Sequence, residues 1–225
     1  MLLSSEDSRH ALRSLRLRPG DAVTLSDDEG LLASARLIGE EDGLAVVEVE
    51  STRRVVRRGV MVSVALSPPK GERLAWAIQK LAELGVDEIM PVRTSRSVRE
   101  WDERRWARLA PRLRTVAREA AMQSRQAFVT RLSDPMSLED ALHVPGASVV
   151  VLDPAEAQTL RSRLPEDASA IRLLVGPEGG FESSELERAV ELGASSARLG
   201  DQILRTETAA VVGAALVLHR YGRLG

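Results

Sequence analysis

The sequence predicts an α/β protein of two domains, an all-β domain over residues 1–66 and a parallel-sheet domain over residues 67–225. Short strand patterns separated by acidic turns fill the first part of the chain. Ser67-Pro68-Pro69 interrupts this pattern, as prolines do at the end of regular structure. From there apolar strands alternate with amphipathic helices, which is typical of a parallel sheet covered by helices.

In the first domain, regularly spaced strands predict a small β-barrel. Their expected ranges are 22–26, 32–38, 44–49 and 60–66. A basic cluster precedes the first of them and contains Arg9, His10, Arg13, Arg16 and Arg18. These side chains either contact phosphates or lie solvated on an exposed helix.

The second domain opens with a predicted helix over 72–84 that ends at Gly85, followed by a strand over 86–92 and a polar basic loop over 94–99. A long helix is expected from Glu100 towards Gln123. It carries the strongest basic patch in the chain, formed by Arg104, Arg105, Arg108, Arg112, Arg114, Arg118 and Arg125. This patch either contacts nucleic acid or touches only water.

Three strand–loop units follow, with strands ending at Leu152, Val175 and Gly200. The second runs into the glycine loop, which is Gly176-Pro177-Glu178-Gly179-Gly180-Phe181. Ligands bind at the carboxyl ends of parallel strands, although a tight turn without a ligand would show the same glycines. A carboxylate in the loop and the missing P-loop lysine disfavour a phosphate site.

The last helix, with Thr206 or Thr208 as its expected N-cap, is apolar on almost every side from Ala209 to Leu218. Such a helix must be covered nearly all round. We interpret it as partly a homodimer interface; a core helix of a monomer is the alternative.

Composition excludes several functions. The 225 residues are 44% hydrophobic and include no cysteine, so disulfides, zinc–thiolate sites and thiol catalysis are ruled out and no metal is expected. The net charge of −2 does not indicate a nucleic-acid partner by itself, although nearly all cations are arginine. No membrane span or signal peptide is recognisable, and we expect a cytoplasmic protein.

The glycine loop, together with Leu199-Gly200 and the run Ile203-Leu204-Arg205-Thr206-Glu207-Thr208-Ala209, resembles the RsmE family of the SPOUT superfamily. Its members are bacterial 16S ribosomal RNA uracil-N3 methyltransferases. Further matches lie at 70–73, 79–80, 83–86, 96–97, 119–120 and 123–124, with His10 near Arg13. The resemblance therefore covers most of the chain.

The resemblance implies a PUA-like RNA-binding domain followed by a SPOUT domain whose last three loops form a trefoil knot around S-adenosylmethionine. The cofactor-binding residues that it implies are Leu152, Gly176, Pro177, Glu178, Gly179, Gly180, Leu199, Gly200, Ile203, Leu204, Arg205, Thr208 and Ala209.

The implied partners are 16S ribosomal RNA in the small ribosomal subunit and a second copy of the chain. The RNA-binding residues are expected to be Arg9, His10, Arg13, Arg16, Lys70, Arg96, Arg118 and Arg125. Arg96 and Gln123-Ser124 could also help to close the site of the partner chain.

The implied reaction is methylation of one uridine at N3 in the decoding region. The N3 proton must leave, so a base is required. Glu178, Glu207 and Glu119 are candidates, and Arg205 could stabilise charge on the uracil oxygens; we name Arg205 and Glu207 as catalytic. The alternatives are a SPOUT enzyme with another RNA target and an RNA-binding assembly factor without catalysis.

Overall fold

The computed structural model describes residues 1–57, 59–97 and 103–225. Its contacts divide the chain into two compact units, Met1–Arg57 and Arg58–Gly225. The domain boundary therefore falls earlier than the predicted one after Leu66. The expected start of the long helix at Glu100, and the end of the basic loop at Val98 and Arg99, lie outside the described residues.

The first unit begins with helix α1, Ser5–Arg9, and a π-helical turn, His10–Ser14. Strands β1 (Ala22–Ser26), β2 (Leu31–Glu41) and β3 (Leu44–Arg54) follow as an antiparallel sheet in that order. Asp42 and Gly43 both have positive φ, the geometry that a two-residue hairpin turn requires. Ala35, Leu37, Ala45 and Val47 form the buried core of this unit.

The predicted barrel needed a fourth strand at 60–66, and this part of the prediction is wrong. The segment does form strand β4, Met61–Leu66, but β4 pairs with strands of the second unit on both sides. The neighbouring residues Ala65 and Leu66 point to opposite faces of β4 and are both buried, in different apolar clusters. This explains the difference, because a strand with both faces covered belongs inside a parallel sheet.

The second unit contains a parallel sheet that runs, among the residues described, in the order β10-β8-β9-β4-β5-β6, with β7 also paired to β5. The remaining strands are β5 (Glu88–Arg93), β6 (Arg131–Leu132), β7 (Met136–Ser137), β8 (Ala147–Leu152), β9 (Ala170–Val175) and β10 (Ser195–Ala197). The predicted alternation of strands and helices is confirmed.

Helices cover both faces of this sheet. They are α2 (Arg73–Leu84), α3 (Glu103–Gln123), α4 (Leu138–Leu142), α5 (Leu160–Arg163), α6 (Ser183–Glu191) and α7 (Thr206–Arg220). One apolar cluster joins the sheet to α2, α3, α5 and α7, and a second joins it to α4 and α6. None of the helices in the described ranges is long and apolar enough to cross a membrane.

Helix α7 lies close to the central strands. A Cβ on Gly213 would stand 2.9 Å from Leu152 Cδ1 and 3.2 Å from Leu173 Cδ1, so any larger residue would force these side chains to shift. The N-cap of α7 is Arg205, not the predicted Thr206 or Thr208. Thr206 is the first helical residue, and its hydroxyl donates instead to the carbonyl of Gly176 at 3.1 Å.

Candidate active site

Strands β10, β8 and β9 end at the same level of the sheet. Leu152 pairs with Ala197 on one side and with Val175 on the other. The loops that follow these strands therefore begin side by side, as the sequence predicts. This edge is where parallel sheets bind their ligands.

The glycine loop turns back on itself directly after β9. The N–H of Gly180 donates to the carbonyl of Pro177 at 2.9 Å, and Gly180 has a φ of +69°. A Cβ on Gly176 would lie 2.9 Å from the ring of Phe181, which is closer than van der Waals contact allows. The loop thus needs glycine for a turn at one end and for close packing at the other.

A cleft of about 310 Å³, including space open to solvent, lies beside these loops. Its lining residues are Leu152, Asp153, Pro154, Ala197, Leu199, Gly200, Gln202, Leu204 and Ala209. Predicted cofactor residues from three different segments of the chain meet here: Leu152, Leu199, Gly200, Leu204 and Ala209.

Other predicted residues do not line this cleft, and some of its lining residues were not predicted. The glycine-loop residues, Ile203, Arg205 and Thr208 lie outside its wall, with Ile203 86% exposed. Asp153, Pro154, Ala197 and Gln202 were not assigned to the site. The position of Asp153-Pro154 directly after a buried strand is the signal that could have identified them.

The start of α7 brings a carboxylate to the glycine loop. Glu207 is 6% exposed, and its Oε1 lies 3.6 Å from Nε of Arg73. Its Oε2 is buried without a hydrogen-bond partner. The bond from Thr206 to Gly176 fixes this turn of α7 against the loop. A buried carboxylate oxygen without a donor is unusual in a folded protein, and this makes Glu207 a candidate functional residue.

The other two candidate bases are placed differently. Glu178, whose side chain is 30% exposed, has its Oε1 3.5 Å from the backbone nitrogen of Lys70 and 3.8 Å from Nη1 of Arg73. Glu119 is exposed on α3. Arg205, the predicted stabiliser of uracil charge, is exposed beside Glu207 in the chain.

The basic loop after β5 contacts the glycine loop. Nη1 of Arg96 donates to the carbonyl of Gly179 at 2.9 Å, and its Nε lies 3.9 Å from Glu182 Oε1. The backbone N–H of Ser95 donates to Glu185 at 2.8 Å. Arg96, predicted to bind RNA, therefore also supports the glycine loop.

The other predicted RNA-binding residues lie in both units. Arg9, Arg13 and Arg16 are exposed in the first unit, and His10 is half-buried there. Lys70 and Arg125 are exposed in the second unit, whereas Arg118 is half-buried on α3.

The basic patch on α3 is partly neutralised, which the sequence did not predict. Arg112 lies 3.3 Å from Glu72, and Arg114 lies 3.3 Å from Asp134. Both acids come from segments distant in the sequence, so only the fold brings them to the helix.

Comparison with known proteins agrees with this architecture. A family model for an RNA methyltransferase domain matches residues 57–218, and one for an RNA methyltransferase PUA domain matches residues 3–50. The ribosomal RNA small subunit methyltransferase E of Mycobacterium tuberculosis is 35% identical over 94% of this chain and 83% of its own. The Bacillus subtilis protein of the same name is 30% identical over 92% and 85%.

Two solved structures superpose on most of the chain. Ribosomal RNA small subunit methyltransferase E from Neisseria gonorrhoeae, bound to S-adenosyl methionine, has a TM-score of 0.88 at 29% identity over 97% of this chain and 91% of its own. A methyltransferase from Legionella pneumophila in complex with the cofactor SAM has a TM-score of 0.89 at 28% identity with the same coverage. With family models matched in both units and relatives similar over nearly the whole length, the chain belongs to the ribosomal RNA small subunit methyltransferase E family.

Proposed function

We propose that this enzyme transfers a methyl group from S-adenosylmethionine to N3 of one uridine in the decoding region of 16S ribosomal RNA. The observation that carries the proposal is the juxtaposition of the cleft, the glycine loop and the buried carboxylate of Glu207 at one edge of the sheet. Its relatives carry the name of a small-subunit RNA methyltransferase, and this supports the same substrate.

The residues present fit the cofactor. The cleft offers apolar walls from Leu152, Leu199 and Leu204, and a Cβ built on its Gly200 would meet no atom within 4 Å. Bound there, S-adenosylmethionine would supply an electrophilic methyl group on a sulfonium. The residues proposed to hold it are those that the sequence predicts, with Asp153, Pro154, Ala197 and Gln202 added from the cleft.

We propose Glu207 as the base that removes the N3 proton. It stands in the first turn of α7, which is bonded to the glycine loop, and its Oε2 has no hydrogen-bond partner that a proton would displace. Glu178 is already engaged by Arg73 and the backbone of Lys70, and Glu119 is exposed on α3. Arg205 keeps its proposed role of stabilising negative charge on the uracil oxygens.

The RNA is proposed to bind through arginines on both units, including Arg96 next to the glycine loop. A homodimer is also proposed, because apolar side chains near and on α7 are exposed, with Ile203 at 86% and Leu216 at 43%. The proposal also includes the trefoil knot in the second unit. It further includes a cytoplasmic location, which is where ribosomal RNA is modified.

The test is to incubate the purified protein with labelled S-adenosylmethionine and small ribosomal subunits from a strain without its own uracil-N3 methyltransferase. Mass spectrometry of the RNA should detect N3-methyluridine at a single site in the decoding region. Cofactor binding without methyl transfer would indicate another RNA target. Absence of cofactor binding would contradict the enzymatic function itself.

A further inference from the structure

Arg73, at the start of α2, connects two carboxylates from different parts of the site. Its Nε lies 3.6 Å from Oε1 of Glu207, and its Nη1 lies 3.8 Å from Oε1 of Glu178. We call these three side chains the Arg73 bridge. One cation thereby links α2 to the glycine loop and to the first turn of α7.

The charges of the bridge do not balance. Two carboxylates share one guanidinium, and the Arg73–Glu207 distance is that of an ion pair without a hydrogen bond. The Glu207 side chain is only 8% exposed, and its Oε2 has no partner. Leaving a buried carboxylate oxygen without a donor is costly, so Glu207 depends on the charge of Arg73.

We propose that Arg73 is a positioning residue, which holds the Glu207 carboxylate in the orientation in which it accepts the N3 proton of the uracil. This inference rests on the function proposed above. In the step itself the N3–H bond breaks and the proton passes to the Glu207 carboxylate. The N3 electron pair then forms a bond to the methyl carbon, while the carbon–sulfur bond breaks and leaves its electron pair on sulfur.

An arginine suits this role better than a lysine. The planar guanidinium presents donors in several directions at once, so its Nε can serve Glu207 while Nη1 serves Glu178. A lysine keeps the charge but offers a single ammonium on a flexible stem. Arg73→Lys should therefore rescue part of the activity that an uncharged side chain loses.

The chain offers a matched control in Arg188. This arginine also joins two carboxylates, Glu139 and Glu191, and its side chain is 46% exposed against 43% for Arg73. Arg188 contacts none of the residues proposed for the site. Arg188→Met removes the same number of charged contacts without touching the reaction.

The experiment measures single-turnover methyl transfer to small subunits, the dissociation constant of S-adenosylmethionine and the melting temperature of each variant. We expect Arg73→Met to slow transfer about 30-fold through misplacement of the carboxylate. Glu207→Gln should slow it about 100-fold by removing the base. Because Arg73 acts through Glu207, the double variant should be no more than about twofold slower than Glu207→Gln.

Cofactor affinity should change no more in Arg73→Met than in Arg188→Met, whereas the melting temperature should fall further in Arg73→Met because Glu207 keeps a buried charge without its cation. Arg73→Lys should transfer methyl at an intermediate rate. A rate for Arg73→Met equal to that of Arg188→Met would overturn the role of Arg73 alone. Two further results would also overturn the role of Arg73. One is a double variant whose loss of transfer rate is the product of the two single losses, and the other is a rate loss in Arg73→Met that is matched by weaker cofactor binding. A wild-type protein that transfers no methyl group would overturn the proposed function as well.

Discussion

At the scale of single residues, the two glycines Gly176 and Gly200 serve the same site for different reasons. Gly176 is required by packing, because the Phe181 ring occupies the place of a Cβ. Gly200 has no atom within 4 Å of a built Cβ and lines the cleft. The first glycine therefore shapes the loop, and the second keeps space for a ligand.

Alanine substitutions should separate these two roles. Gly176→Ala forces the Phe181 ring to move and should destabilise the protein by about 2 kcal/mol, the usual cost of overpacking. Gly200→Ala should leave the melting temperature unchanged and weaken cofactor binding about tenfold by filling the cleft. Calorimetry measures both quantities; equal melting temperatures for the two variants would contradict the packing argument.

At the scale of elements, α3 combines a buried apolar face with an arginine-rich exposed face. Trp106, Ala110 and Leu113 are buried on one side, and Arg104 and Arg108 are exposed, one turn apart. Arg112 and Arg114 already pair with acids. The exposed Arg104 and Arg108 are therefore the better candidates for phosphate contacts.

Replacing Arg104 and Arg108 by glutamine should weaken binding to 16S ribosomal RNA and make it less sensitive to salt. Each phosphate contact contributes about 0.7–0.9 to the slope of log affinity against log salt concentration, so losing two lowers the slope by about 1.5. Filter binding at several salt concentrations measures this slope. Arg188→Gln is the control, and an unchanged slope in the double variant would exclude this face of α3 from the RNA interface.

The local sequence pattern was sufficient to predict most helices and strands, but it could not assign every strand to its sheet. The period of apolar residues predicts α2, and Gly85 does end it with a φ of +80°. By contrast, β4 looks like the last strand of the first domain because it follows a run of strands. Its parallel pairing with β9, far along the chain, decides otherwise, and no local pattern carries that information.

The candidate site was also only partly predictable from the sequence. The loops at the ends of β8, β9 and β10 were expected to meet, since carboxyl ends of parallel strands share an edge. The role of Arg73 could not be predicted, because its partners Glu178 and Glu207 lie far from it in sequence. Contacts that depend on tertiary structure become visible only in the fold.

At the scale of the whole second unit, a residue near the carboxyl terminus fixes the last residues of the chain to the parallel sheet. The Arg223 guanidinium forms an ion pair with Asp87, and it donates to the carbonyls of Val60 at 2.8 Å and Gly85 at 2.6 Å. The side chain of Asp87 is 2% exposed and also accepts from the N–H of Val62 at 2.7 Å. One arginine thus ties the chain end to the start of β4 and to the turn before β5.

Removing this arginine should be costly, because the buried charge of Asp87 would lose this ion pair and the carbonyls of Val60 and Gly85 would lose their donor. Breaking a buried ion pair from one side costs about 3 kcal/mol or more, whereas an exposed pair contributes less than about 1 kcal/mol. Arg223→Met should therefore lower the melting temperature by about 10 °C, while Arg36→Met, which breaks an exposed pair with Glu50, should change it little.

The double variant Arg223→Met/Asp87→Asn tests the cause of this loss. The amide of asparagine carries no charge, and its oxygen can still accept from the N–H of Val62, so part of the lost stability should return. Circular dichroism melts of the four proteins are sufficient. If neutralising Asp87 restores nothing, the carboxyl terminus stabilises the unit through the carbonyl contacts of Val60 and Gly85, and the buried charge is not the reason for the arginine.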